Sequence, residues 1–122
     1  MTRKVIVLIT TLILVVAMTS VTSFAATKGT VNYSTTTSQV LYSCSSSYGA
    51  VYGRLKPAPL SPAAKLQLWN GAGTNLMDEE TYFAYPPNSN VVSGPANSGE
   101  YFEVKPVGTN VYIWGSGDFW ET

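Results

Sequence analysis

No histidine occurs anywhere in the 122 residues. That removes the commonest general base near neutral pH and the commonest zinc ligand, so Ser-His-Asp, Cys-His and His-containing metal sites are excluded. Cysteine is almost missing as well. Cys44 stands alone, no internal disulfide can form, and a core of this size must close without the staples that small exported domains often carry. Charged residues make up only 11% of the chain. After residue 25, five basic residues (Lys28, Arg54, Lys56, Lys65, Lys105) face seven acidic ones (Asp78, Glu79, Glu80, Glu100, Glu103, Asp118, Glu121) with no basic patch. Nucleic acid and anionic membrane surfaces both require clustered Lys and Arg, so neither is an expected partner.

A long apolar run is present once, from Val5 to Met18. Met1-Thr2-Arg3-Lys4 precede it, and the polar stretch Thr19 to Ser23 and the pair Ala25-Ala26 follow. This is a basic segment, a short apolar segment and a small-residue cleavage site. The run is too short for a bilayer span of roughly 20 residues. The expectation is an export signal over residues 1–25, cut after Ala25, with a cut after Ala26 as the near alternative. Residues 26–122 then form one secreted, extracellular domain with no membrane span, long enough for one core and too short for two. Leu41-Tyr42-Ser43-Cys44 resembles the lipid-attachment box of bacterial lipoproteins, but lies about 25 residues beyond the apolar run instead of directly after it. A structural thiol is the better reading. Asn32-Tyr33-Ser34 matches a glycosylation acceptor, which has meaning only in a eukaryotic host.

What fills the rest is Thr, Ser, Val and Tyr, with no window of helical periodicity. Such residues favour pleated, half-buried strands. Eight are predicted: Thr30 to Ser34, Gln39 to Cys44, Tyr48 to Lys56, Lys65 to Trp69, Leu76 to Tyr85, Asn90 to Ser93, Glu100 to Pro106 and Val111 to Ser116. Turn residues separate them, among them Pro57-Ala58-Pro59, Asn70-Gly71-Ala72-Gly73, Pro86-Pro87-Asn88-Ser89 and Gly108-Thr109. Short strands at this spacing predict an all-β fold, a small antiparallel sandwich of seven or eight strands. Reading Gly108-Thr109 as a two-residue turn pairs the last two strands, with Val104 opposite Ile113 and Phe102 opposite Gly115. Phe102, Val104, Val111 and Ile113 would face the core, and Phe119 and Trp120 would fold back over a sheet edge.

The carboxylates Asp78-Glu79-Glu80 and the pair Glu100 and Glu103 are the only acidic clusters. A glycosidase needs two carboxylates at a set separation, and a calcium site needs several oxygens at a spacing not matched here. The reading is therefore of no catalytic residues, no metal and no cofactor. Flat rings on a rigid sheet are the one sign of recognition, because they offer contact area at low entropy cost. On the hairpin register, Tyr101, Glu103, Tyr112 and Trp114 form a candidate platform for a glycan or a cell-surface protein.

Gly99-Glu100-Tyr101-Phe102-Glu103-Val104 and the alternating strands around it resemble exported immunoglobulin-like β-sandwich modules over about the last 60 residues. The resemblance is architectural and carries no functional residue across. Small size and an export signal are also similar to some secreted bacterial antimicrobial proteins. The first expectation is thus a secreted, non-catalytic binding or structural protein. A bacteriocin-like antimicrobial protein is the second, and a small carboxylate-based hydrolase the third.

Overall fold

The computed structural model describes residues 27–122, so the export segment and its cleavage site lie outside the described residues. Eight strands follow one another: β1 (Thr27–Thr35), β2 (Gln39–Ser43), β3 (Ala50–Pro57), β4 (Ala64–Trp69), β5 (Leu76–Tyr82), β6 (Val92–Pro95), β7 (Tyr101–Pro106) and β8 (Ile113–Glu121). They form two four-stranded sheets, here sheet A in the order β1-β8-β3-β6 and sheet B in the order β2-β7-β4-β5. Every pairing is antiparallel. The expected small all-β sandwich is what the chain forms.

The pairing is nested. β1 pairs with β8, β2 with β7, β3 with β6 and β4 with β5. The chain is thus a long hairpin, its tip at the β4–β5 turn, rolled until β3 meets β8 and β4 meets β7. That is the jelly roll, which differs from the immunoglobulin order expected above. Every connection except β4–β5 crosses from one sheet to the other. The hairpin expected around Gly108-Thr109 is corrected by the same observation. β7 has β2 and β4 at its two edges and β8 has β1 and β3, so neither has an edge left for the other. Residues 107–112 span the gap between the sheets, which in packed sandwiches is about 10 Å.

The alternation survives the loss of the hairpin. Phe102 and Val104 of β7, Leu66 and Leu68 of β4, and Val51 and Leu55 of β3 point inward and are buried. Ile113 and Phe119 do the same from β8, while Val111 lies before that strand and is only half-buried. Phe119 does not fold back over an edge: β8 continues through it in the middle of sheet A. Its ring packs at 5.1 Å from Phe102 and stacks at 5.6 Å on Tyr42. Room for this cluster comes from Gly53, where a Cβ would lie 2.8 Å from Phe102 and 2.9 Å from Phe119. Burying a side chain such as Phe or Leu contributes about 1.5–3 kcal/mol, and this core replaces the missing disulfides.

Candidate functional site

The structure divides the four residues of the expected platform between the two outer faces of the sandwich. Tyr101 and Glu103 lie on β7 in sheet B, Trp114 on β8 in sheet A, and Tyr112 just before β8. On sheet B, Tyr101 sits opposite Trp69 and Glu103 opposite Gln67. Glu103 pairs with Lys105 at 3.3 Å, and Lys105 lies 5.9 Å above the Trp69 ring. The Trp69 indole N–H donates to Gln67, whose amide donates in turn to Glu79. Trp69, Gln67, Glu79, Glu103 and Lys105 thus have their polar groups engaged across this face.

Sheet A presents a ladder of cross-strand rows along β8. Trp114 lies opposite Ser34 of β1 and stacks on Tyr112 at 5.4 Å, and Tyr112 shares a 2.5 Å hydrogen bond with Ser34. In the next row Ser116 has Asn32 on one side and Lys56 on the other. Asp118 follows, accepting from the Thr30 hydroxyl at 2.7 Å and pairing with Arg54 at 3.7 Å. Trp120 closes the ladder, stacked on Tyr52 at 5.5 Å with Arg54 5.9 Å from its ring. Trp120 belongs to this row because β8 runs on through Gly115-Ser116-Gly117, a stretch whose composition reads locally as a stop.

A groove of about 490 Å³ opens at the Trp114 end. Trp114, Gly115 and Ser116 line one side, and Pro57-Ala58-Pro59 line the other. The segment after β3 is latched to β8 at both backbone positions of Trp114. The Ala58 N–H donates to the Trp114 carbonyl at 3.0 Å, and the Trp114 N–H donates to the Ser61 hydroxyl at 3.1 Å. Tyr33 also lines the groove and is almost fully buried. Its hydroxyl has no hydrogen-bond partner among the described residues, and burial pushes its pKa up to about 12. Sequence reasoning missed this groove, because Pro57-Ala58-Pro59 reads as turn chemistry and its neighbours Asn32 and Ser116 arrive from distant strands.

The carboxylates take separate places. Glu100 is buried and accepts the Asn97 N–H at 2.7 Å, whereas Glu103 faces out, so the pair is not brought together. Asp78 accepts the Ser93 N–H at 2.9 Å, Glu79 accepts from Gln67 and Glu80 from Asn88. Among the described residues, no three Cys, Asp or Glu side chains are placed to hold a metal ion. At the C-terminal end of β8, buried Glu121 accepts from the hydroxyls of Tyr42 and Ser45, the Ser46 N–H and the Cys44 thiol. Burial works to raise the Glu121 pKa, but the donors led by Tyr42 prevail and hold it below the ordinary carboxylate value. Burial, first among its causes, pushes the Cys44 thiol up.

No protein-family model and no curated protein matches the chain. A solved structure of Bacillus endospore appendages, which form a novel family of disulfide-linked pili, is similar to it. The TM-score is 0.54, over 81% of this chain and 87% of that one, at 12% identity. At that identity the likeness shows the fold, an eight-stranded antiparallel sandwich.

Proposed function

We propose that this chain works outside the cytoplasm as a non-catalytic structural protein, a building block of a surface or extracellular assembly. The observation that carries this reading is the fold likeness to a pilus protein, which extends over 87% of that chain. The expected export signal agrees with it. Cys44 sets a limit on the analogy: it is single and buried, so the assembly proposed here does not rely on a disulfide. The test is to purify the secreted protein, confirm a mature N-terminus at Ala26 by mass spectrometry, and follow its mass by light scattering as concentration rises. Oligomers that persist in reductant are expected. A monomer at all concentrations, with no protein in surface or appendage fractions, overturns the reading.

A second reading is favoured by one feature, the two stacked aromatic pairs at the ends of the sheet A ladder. Rings flanking hydrogen-bonding groups on a rigid sheet suit a glycan, so the building block would also attach to a polysaccharide.

A further inference from the structure

We infer that the groove beside Trp114 is the principal sugar subsite of a polysaccharide-binding face, and that the chain of a linear, hydroxyl-rich polysaccharide lies along β8 from there toward Trp120. The inference rests on the second reading above and assigns it a place, a direction and residues.

Three features of the groove fit a pyranose ring. Trp114 supplies a flat apolar wall, and Tyr112 stacked behind it fixes its orientation. The facing wall holds two prolines and is tied to the Trp114 backbone by two hydrogen bonds. A site held open in this way loses little entropy when occupied. The third feature is the polar rim. The side chains of Asn32, Ser116 and Lys56 share one cross-strand row directly beside Trp114, and none has a hydrogen bond or ion pair with a described residue. They offer an amide, a hydroxyl and an ammonium group to the hydroxyls at a ring edge.

The rest of the ladder gives the direction. Trp114 and Trp120 are six residues apart on one strand, a separation of about 20 Å, which spans several sugar rings. Between them the polar row gives way to Asp118 and Arg54, whose charges offset one another. Trp120 and Tyr52 provide a second stacking surface at the far end. On sheet B the Trp69 indole, Gln67 and Glu79 are engaged with one another, and Glu103 is paired with Lys105.

The experiment is depletion of the purified secreted protein from solution by three insoluble probes: cellulose, chitin and peptidoglycan sacculi. They share the hydroxyl-rich backbone and differ in N-acetyl and carboxylate groups. Binding to at least one is expected. Trp114→Ala should weaken it about tenfold or more, Trp114→Phe should restore part of it, and Trp69→Ala on sheet B should leave it unchanged. Asn32→Ala separates a ligand role from a structural one. It should weaken binding several-fold while leaving the melting temperature unchanged, because the exposed Asn32 side chain lines the groove and has no hydrogen bond with a described residue. Thermal melts of every variant show whether it is folded. No depletion by any probe overturns the second reading itself. Depletion that is insensitive to folded Trp114→Phe and Asn32→Ala, or that Trp69→Ala abolishes, leaves that reading standing and overturns the groove.

Discussion

Glu121 shows how a single carboxylate closes one end of a core that has no disulfide. Removing it leaves the Tyr42 hydroxyl and the Ser46 N–H without their acceptor, and such losses are expensive in a buried site. Because its folded pKa lies below the ordinary value of 4.5, the folded protein holds this proton less readily than the unfolded chain. Its contribution is therefore complete above that value and is lost as pH falls through the lower folded pKa. Glu121→Gln should cost on the order of 1–3 kcal/mol at pH 7, and urea midpoints should then fall less steeply with acidification than in the parent protein. Parallel acid limbs in the two proteins would show that the charge is not held by this cluster. Cys44 belongs to the same cluster through its contacts with Glu121 and the Ser46 carbonyl. Its burial and raised pKa predict that a disulfide-exchange reagent labels it only as fast as the domain opens. Cys44→Ser should cost about 1–2 kcal/mol, and rapid labelling of the native protein would contradict the buried placement.

At the scale of strands, the tightest constraint is where β3 passes beneath two aromatic rings. Gly53 carries no Cβ because Phe102 and Phe119 occupy that space from opposite sheets. Gly53→Ala should destabilise the domain by about 1–3 kcal/mol through overpacking, measured by chemical denaturation, and a neutral outcome would mean that the rings can shift. All eight strands were legible in the sequence, because β-branched alternation and turn residues act locally. So was the inward face of β7, since a period of two follows from the pleat. Partner choice was not legible. Gly108-Thr109 is good hairpin chemistry, but β7 and β8 are each paired on both edges by strands far away in sequence. The aromatic platform was misread for the same reason: Tyr112 and Trp114 were legible as outward residues, but not the face they share with Tyr52 and Trp120. The end of β8 was hidden by its glycines. Gly115 and Gly117 suggest a stop, while in the fold they face inward beside Tyr33, Leu55 and Phe119.

For the molecule as a whole, nested pairing sets an order of folding. β4 and β5 are joined by residues 70–75, and that turn is organised by its own first residue. The Asn70 side chain accepts the N–H groups of Thr74 and Asn75 at 2.9 and 3.0 Å, and its backbone N–H donates to the Asn75 carbonyl. β1 and β8 lie at the two ends of the described chain, so joining them directly closes nearly the whole of it. Loop-closure entropy rises with length, and folds dominated by distant pairings reach the native state in milliseconds to seconds. The nucleus is therefore expected at the β4–β5 tip together with β7, which packs beside β4, and the terminal pair should dock last. Leu66→Ala and Leu68→Ala remove buried side chains from β4 and should each cost about 2–5 kcal/mol. Stopped-flow measurements should show that cost mainly as slower refolding, with φ above about 0.5. Ile113→Val in β8 should cost about 0.5–1.5 kcal/mol and act mainly by speeding unfolding, as should the larger deletion Phe119→Leu. The reverse pattern, with high φ at Ile113 and Phe119 and low φ in β4, would mean that the two ends of the chain meet first and that the rolled hairpin describes the finished topology without describing how it forms.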